Sequence, residues 1–364
     1  MPLDDQGAPA ALEPGEADEA LFIEVHHFGP DIRRVGGIER VVEILVNHDV
    51  GADLTVFHPT RARGSAKDFL LSILGVTVGT LRLPSDAIAH VHLSQGGSFI
   101  REGWALMLAN MRGHASVATI HGSRFVAFAQ ERPWLVRFVL RRASAVTCLS
   151  DEALTTIQQL VPEARVTLVP NPVPTDGDCQ PAGDTDEIVL FAGEISERKG
   201  VDVLCQAWPM ISARRPAAIC MLVGPRTELA VPPLDGMKVV PPVSAGEMGA
   251  LLHKARVVVL PSRNEGMPMI LTEALSAGRP FVSTPVGGIP QLANGTQLLV
   301  AVGDAPALAQ EVTQLLEDPD LATRMGESGR AFHAATRSTE VVGRTLRAIY
   351  TSALQERHVL GRKR

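Results

Sequence analysis

Two glutamates spaced eight residues apart stand out in the segment 261–280, PSRNEGMPMILTEALSAGRP. The segment follows an apolar run, so we expect Glu265 on a loop at the carboxyl end of a strand and Glu273 on the helix after it. The first N–H groups of a helix lack partners and create a positive potential, and a carboxylate beside them can hold a polyhydroxylated ligand. The candidate binding residues at this helix start are Gly266, Met267 and Pro268.

Two other signals are weaker when taken alone. Gly36 and Gly37 open a predicted helix after the first strand, where glycines let backbone amides approach a phosphate without an intervening Cβ. His121 ends a predicted strand. A lone glycine pair also fits an ordinary turn, and a lone histidine also fits a structural role, so both need the context of the whole chain.

Taken together, these segments resemble the signature of the retaining glycosyltransferases of family 4. The segments that carry the resemblance are PSRNEGMPMILTEALSAGRP, FAGEISERKG at 191–200, the glycine pair and TIHGS at 119–123. The resemblance implies the GT-B fold, in which two Rossmann-like α/β domains face each other across a cleft. It also implies that the second domain holds most of a nucleotide-sugar donor.

The resemblance also implies roles for individual residues. Lys199 matches the lysine that contacts the donor diphosphate, and an ammonium group there stabilises charge on the leaving group. His121 and Glu265 match positions that contact the transferred sugar, and Glu273 would hold the ribose hydroxyls. Arg198 either assists Lys199 or is a solvated loop charge.

Three departures from the family pattern affect these expectations. Glu194 stands where the family usually has arginine, so either it points away and Arg198 substitutes, or donor binding is weakened. Arg101 is followed by Glu102 where related members often have Arg-Lys, which leaves the charge preference for the acceptor open. The loop 286–291 ends in Gln291 where glutamate is common, and we assign that residue no role.

The elements that must position these residues are apolar strands alternating with helical patterns, which predicts parallel sheets covered on both faces. We predict strands at 21–25, 53–57, 87–93, 115–120, 144–149 and 165–169, and again at 188–192, 218–223, 237–240, 256–260, 280–284 and 297–300. The resulting domains are an acidic disordered tail at 1–20, an acceptor-side domain at 21–173, a linker at 174–187, a donor-binding domain at 188–335 and a C-terminal helix at 336–364 that could pack back on the first domain.

Composition excludes several classes of protein. The net charge of −6 argues against a nucleic-acid-binding protein, and no apolar run is long enough to span a membrane. The four cysteines lack metal-ligand spacing and are expected to be reduced and buried. We therefore expect a cytoplasmic protein, with the inner face of the membrane as an alternative location.

The predicted partners are a nucleotide-sugar donor and a glycan, glycolipid or small-molecule acceptor. The basic helical pattern around 132–142 either touches anionic lipid or is a core helix with a solvated basic face. The three Asp-x-Asp pairs, at 176–178, 184–186 and 318–320, are expected to be solvated, so no cofactor or divalent metal is predicted.

The resemblance implies a front-face transfer, in which the diphosphate leaves as the acceptor hydroxyl arrives on the same side and a phosphate oxygen takes the proton. We place no carboxylate as a nucleophile, so no covalent intermediate is expected. Two alternatives remain open at this point. One is an epimerase or phosphorylase of the same two-domain shape, and the other is a nucleotide-sugar-binding protein without turnover.

Overall fold

The computed structural model describes residues 21–33, 36–60, 66–177 and 179–361. The first sheet that it describes has parallel strands in the order β2-β1-β3-β4-β5-β6. These strands are β1 Glu24–Gly29, β2 Leu54–Pro59, β3 Ile88–Leu93, β4 Ser116–Ile120, β5 Ala145–Cys148 and β6 Val166–Leu168. The helices between them are α1 Gly37–Asn47, α2 Ala66–Leu81, α3 Gly97–Met111, α4 Phe125–Glu131, α5 Pro133–Leu140 and α6 Asp151–Leu160.

The second sheet is also parallel and has the order β12-β11-β10-β7-β8-β9. Its strands are β7 Ile188–Ala192, β8 Ile219–Val223, β9 Met237–Val240, β10 Val257–Leu260, β11 Phe281–Ser283 and β12 Leu298–Leu299. The helices of this half are α7 Val201–Arg214, α8 Ala245–Lys254, α9 Met269–Ser276, α10 Ile289–Ala293, α11 Ala305–Glu317, α12 Pro319–Thr336 and α13 Thr339–Gly361.

Local sequence explains where these elements form and end. The central strand β10 consists of four buried residues, VVVL, because helices cover both faces of a parallel sheet. Ser244 and Glu247 form a reciprocal capping box at the start of α8. The Asp304 and Asp318 side chains accept hydrogen bonds from the first turns of α11 and α12.

The chain crosses between the two sheets twice. It leaves the first sheet near Val173 and comes back at Ser338, and these two residues form an isolated parallel bridge. The last helix, α13, then packs against the first sheet, where Tyr350 is fully buried and joins a core cluster with Ile23 and Val25. The side chain of Arg347 on the same helix is salt-bridged to Asp53.

Several expectations from the sequence need correction. The first strand runs over Glu24–Gly29 rather than 21–25, because His26, His27 and Phe28 continue it as buried residues. The predictions omitted α2, α4 and α10. Pro268, which we predicted at the start of the helix, is the N-cap residue of α9. Cys148 and Cys220 are buried free thiols, but Cys179 and Cys205 are partly exposed.

Some of the predicted features lie outside the described residues. These are the acidic tail 1–20, Asp178 of the first Asp-x-Asp pair and residues 362–364. Within the described part of the chain, no helix combines the length and the apolar character needed to cross a bilayer.

Candidate active site

A cleft of about 1070 Å³ lies between the carboxyl ends of the two sheets. The first domain lines it with the start of α1, the loops after β3 and β4, and the side chain of His121. The second domain lines it with the loops that follow β7, β8, β9 and β10. All ten residues named as candidate site residues in the sequence lie on its wall: His121, Lys199, Arg198, Glu265, Gly36, Gly37, Gly266, Met267, Pro268 and Glu273.

Lys199 and Glu265 form the central ion pair of the second domain. The Lys199 Nζ lies 2.5 Å from Glu265 Oε1, and the two side chains are only 15% and 6% exposed. Ser262 donates a second hydrogen bond, of 2.7 Å, to the same carboxylate oxygen. A carboxylate held at two points has a fixed position, so Glu265 presents a rigid acceptor group to any ligand in the cleft.

Two glycines hold together the loops that carry this pair. Gly200 has φ +73°, and a Cβ built on it would lie 1.9 Å from the Pro261 carbonyl oxygen, so the turn after Lys199 packs directly on the Glu265 loop. Gly287 has φ +56°, and a Cβ there would lie 2.1 Å from the carbonyl oxygen of Glu265. Neither position can take a side chain without moving backbone. The loop 286–291, in which Gln291 was assigned no role, therefore supports Glu265.

Glu194 does not stand as an unpaired charge in the cleft. Its Oε2 lies 2.9 Å from Arg198 Nη2, and Ser196 Oγ donates to the same atom at 3.2 Å. Both members of the pair are nearly half exposed, so the pair is labile. Arg198 thus neutralises Glu194 in this structure, and an incoming diphosphate would compete with Glu194 for it.

Glu273 on α9 is contacted from the opposite domain. Arg40 of α1 donates from Nε to Glu273 Oε1 at 3.0 Å and from Nη1 to Glu43 at 2.9 Å. Burial works against the charge of Arg40, but attraction to Glu273 and its bonds with both glutamates outweigh this and raise its pKa. Arg40 was not among the predicted site residues, because a contact between residues 233 positions apart leaves no local signal.

Gly36 and Gly37 lie at the start of α1, which points into the cleft. Gly36 is the N-cap residue and has no side chain with which to cap the helix, and the carboxylate of Glu39 in the first turn lies close to it. The start of α1 is the positive end of the helix dipole. This geometry suits an anionic group in the cleft.

His121 lies where the first domain approaches the Gly266 loop of the second domain. A Cβ built on Gly266 would lie 3.4 Å from the His121 carbonyl oxygen, so the two loops touch. The ring is 8% exposed, and burial lowers its pKa to about 4. His121 Nε2 contacts His92 Nδ1 at 2.9 Å, and His92 Nε2 contacts His27 Nδ1 at 3.0 Å. The sequence analysis identified neither of these two partners.

Arg101 also lines the cleft, and Glu102 is buried behind it. The Glu102 Oε1 accepts hydrogen bonds of 2.6 Å from both Arg101 and Thr60. Glu102 is fully buried, and desolvation raises its pKa despite the neighbouring arginine. Arg101 therefore lines the cleft with its guanidinium group already hydrogen-bonded to Glu102.

The comparisons with known proteins agree with this geometry. The family model for glycosyl transferases group 1 matches residues 186–318, and the model for glycosyltransferase family 4 matches residues 35–176. The chain is 26% identical to the alpha-D-kanosaminyltransferase of Streptomyces kanamyceticus over 77% of this chain and 81% of that enzyme. It is 32% identical to the D-inositol 3-phosphate glycosyltransferase of Streptomyces avermitilis, but over only 46% of this chain and 40% of the relative.

Solved structures establish the fold. The sucrose-phosphate synthase of Thermosynechococcus elongatus superposes with a TM-score of 0.74 at 17% identity, over 92% of this chain and 100% of that one. Anabaena HepE, crystallised with UDP and glucose, superposes with a TM-score of 0.67 at 14% identity, over 91% of this chain and 100% of that one. The predicted GT-B fold is thereby confirmed. Since two family models match one after the other along the chain and its relatives are glycosyltransferases, the protein belongs to glycosyltransferase family 4.

Proposed function

We propose that this chain moves a sugar from a nucleotide-diphosphate sugar to an acceptor hydroxyl with retention of anomeric configuration. The observation that carries the proposal is the largely buried Lys199–Glu265 pair, which lines the same cleft as His121 of the other domain. The pair supplies a cation for the diphosphate and a fixed carboxylate for sugar hydroxyls at neighbouring points. The facing domain supplies the third contact to the sugar.

The roles follow from where each group lies. Lys199 and the positive end of the α1 dipole lie on opposite walls of the cleft, and both stabilise negative charge on the departing diphosphate. Glu265 and the backbone at Gly266 and Met267 orient the sugar. An oxygen of the departing diphosphate accepts the proton of the acceptor hydroxyl. Glu265 itself is occupied by Lys199 and Ser262, which favours a binding role over a nucleophilic one.

We further propose that donor binding needs no divalent metal and no cofactor. The cations on the cleft wall provide charge compensation for a diphosphate, and the described Asp residues of the Asp-x-Asp pairs do not line the cleft. The Arg198–Glu194 pair removes the repulsion that Glu194 alone would exert, so no observation favours the binder without turnover or the epimerase.

The decisive experiment is calorimetry with UDP, GDP and ADP, first without metal and then with magnesium. We expect one nucleotide to bind without metal and the variant Glu194→Gln to bind it at least as tightly. Binding only in the presence of magnesium would contradict the metal-independent site. No binding of any nucleotide by the folded protein would overturn the donor site itself.

The stereochemistry needs a separate assay. With the donor sugar attached to the nucleotide that binds, proton NMR of the transfer product reports the anomeric configuration directly. The same configuration as in the donor is expected. An inverted product would refute the front-face mechanism, and turnover of the donor to an isomeric nucleotide sugar without acceptor would indicate an epimerase.

For the acceptor, we propose a group without negative charge beside Arg101 in the cleft. Glu102 already accepts a hydrogen bond from Arg101, so a phosphate there would have to compete with it for this arginine. Among the relatives, the D-inositol 3-phosphate glycosyltransferase is named for a phosphorylated compound, whereas the name of the kanosaminyltransferase mentions none. A neutral cyclitol or glycoside should therefore be a better acceptor than its phosphate ester, and the reverse order would contradict the proposal.

We also propose peripheral contact of the first domain with anionic lipid. Leu70, Leu74 and Leu81 of α2 are 67%, 58% and 48% exposed and recur at helical spacing. Trp134 of α5 is 69% exposed, and Arg142 lies over the Phe138 ring on the same helix. An exposed apolar stripe with basic residues nearby suits a headgroup boundary.

The two helices belong to one layer, because α3 lies between them. Trp104 of α3 donates to Thr77 of α2 at 3.0 Å, and Gly103 packs against Val139 of α5. Sedimentation with phosphatidylcholine vesicles, with and without phosphatidylglycerol, tests the contact. We expect binding that needs the anionic lipid and is lost in the double variant Leu70→Ser, Leu74→Ser. Absence of binding to either vesicle would overturn it.

A further inference from the structure

Three histidines form a continuous hydrogen-bonded chain from the interior of the first domain to the cleft. His27 Nδ1 lies 3.0 Å from His92 Nε2, and His92 Nδ1 lies 2.9 Å from His121 Nε2. The His27 and His92 rings are stacked, with their centroids 5.3 Å apart. His27, His92 and His121 are 0%, 1% and 8% exposed, so water does not compete for the inner contacts.

Strand register explains why these rings meet. β1 and β3 are neighbours, with His27 opposite His90. β3 and β4 are neighbours, with His92 opposite Thr119. Alternate residues of a strand share a face, so His90 with His92, and Thr119 with His121, lie in adjacent rows on one face.

All three rings are neutral at ordinary pH. Burial is the main cause in each case: it lowers the pKa of His27 to about 3 and of His121 to about 4, and it holds the pKa of His92 well below its usual value. A neutral imidazole has one N–H donor and one bare nitrogen. The chain therefore has a direction, and reversing the tautomer of one ring reverses the others.

The inner end of the chain selects the direction. His27 Nε2 is buried and has no hydrogen-bond partner among the described residues. If the protons pointed inward, this atom would be a buried N–H without an acceptor, which is the rarer and costlier kind of orphan. If they point outward, His27 Nε2 is a bare nitrogen, His27 and His92 each donate from Nδ1, and His121 receives at Nε2.

We propose that His27 and His92 are positioning residues that fix His121 as its Nδ1–H tautomer, so that His121 is a neutral hydrogen-bond donor toward the cleft. Its ligand is then an oxygen that can accept, such as a lone pair of a hydroxyl group on the sugar. The identity of that ligand rests on the proposed function, but the tautomer does not. A chain of such bonds polarises each member and strengthens the terminal donor.

A second set of contacts keeps the rings in place. The ring of His90 stacks on that of His92 with 4.5 Å between centroids. Its two nitrogens lie 2.7 Å from the Tyr350 hydroxyl and 2.6 Å from Thr119 Oγ1, so both are engaged. Helix α13, which carries Tyr350, thus clamps His90, and His90 limits the tilt of His92.

The test is nitrogen NMR of protein labelled with ¹⁵N on histidine, which distinguishes Nδ1–H from Nε2–H rings. The signal that disappears in His121→Gln identifies His121. We expect that signal to report the Nδ1–H form in the unmodified protein and a mixture of forms in His92→Phe. An Nε2–H ring in the unmodified protein, or an unchanged tautomer in His92→Phe, would overturn the proposal.

Kinetics of the same variants connect the tautomer to transfer. His92→Phe should lower kcat about tenfold or more because His121 loses its fixed donor. His92→Gln, whose amide can still receive and donate, should recover part of the loss. His58→Phe is the matched control, because His58 contacts His26 and lies outside the chain. Full activity in a folded His92→Phe protein would refute positioning.

A failure of the tautomer proposal can be distinguished from a failure of the proposed function. Hydrogen exchange of peptides from β1 and β3 shows whether the first sheet of His92→Phe is folded, and unchanged nucleotide binding shows that the donor site on the second domain is intact. If the unmodified protein shows the expected tautomer but transfers no sugar, the proposed function fails and the tautomer assignment stands.

Discussion

The two sheets bury different chemistry although both are parallel and six-stranded in the described chain. The second sheet is apolar at its centre, where β7 and β10 read IVLFA and VVVL. The first sheet carries four histidines on the neighbouring strands β1 and β3, which read EVHHFG and IAHVHL. The second domain carries the polar groups of its site on loops. The first domain contains a chain of hydrogen bonds that passes through its interior and ends at one cleft residue, His121.

The two domains therefore meet different requirements of the cleft: one fixes the position of its loops, and the other fixes the direction of a hydrogen-bond donor. An apolar sheet is a stiff support, so glycine-packed loops such as those of Lys199 and Glu265 are fixed by backbone contacts. A buried polar chain costs stability unless each bond is made, but it fixes the direction in which a side chain donates. We therefore expect the domains to respond differently to acid, to added side chains and to lost charges.

The largest expected effect is acid sensitivity of the first sheet. Burial lowers the pKa of His58 to about 4, as it does for His121, and of His27 to about 3. The unfolded chain takes up protons near pH 6.5 and the folded sheet does not, so stability is greatest above that pH and falls as the pH drops toward 4. One pH unit below 6.5, each such histidine lowers the free energy of unfolding by about 1.4 kcal/mol, and together they lower it by several kcal/mol.

Urea unfolding at pH 7.5 and 5.5 measures this loss, and hydrogen exchange locates it. Peptides from β1 and β3 should lose protection before those from β7 and β10. Replacing the exposed His48 by asparagine should leave the pH dependence unchanged. If protection in the second sheet falls first, the buried histidines do not set the acid response.

The next effect is steric and belongs to the second domain. Gly287→Ala should lower the free energy of unfolding by about 3 kcal/mol, because the new Cβ would clash with the Glu265 backbone and an L-residue at positive φ is strained. Gly295→Ala is the matched control, since Gly295 has φ +70° with open space around its Cβ. Thermal unfolding and nucleotide binding should both suffer more in Gly287→Ala. Equal effects would show that the Glu265 loop does not depend on this contact.

The third effect is on transfer. Lys199→Ala and Glu265→Ala should each reduce kcat/KM at least about tenfold, which corresponds to about 1.4 kcal/mol of transition-state stabilisation. Lys254→Ala, at an exposed position of α8, is the control for loss of one positive charge. A folded Lys199→Ala protein with normal activity would remove the phosphate role from this residue.

The sequence predicted the second domain more closely than the first, and the reason is the same difference in their interiors. The bounds of β7 agree with the prediction because its uninterrupted apolar run marks a buried strand. Those of β9 agree as well, although Lys238 interrupts that strand and none of its residues is buried. β1 was placed three residues too early because His26 and His27 look like the end of a strand. The alternation of His90 and His92 was a visible signal of one shared face, but the contact with His27 depends on strand order.

The smallest expected effect concerns Arg40, the residue through which the first domain holds Glu273 of the second. The pair is partly exposed, so it contributes less than about 1 kcal/mol to stability. If Glu273 binds the ribose as the family resemblance implies, Arg40→Gln frees it and should raise nucleotide affinity by less than about fivefold. Glu43→Gln is the control, since it removes Arg40's other partner and leaves Glu273 occupied. Calorimetry separates the outcomes: a large loss of affinity in Arg40→Gln would mean that Arg40 binds the nucleotide itself, and that donor binding belongs to both domains.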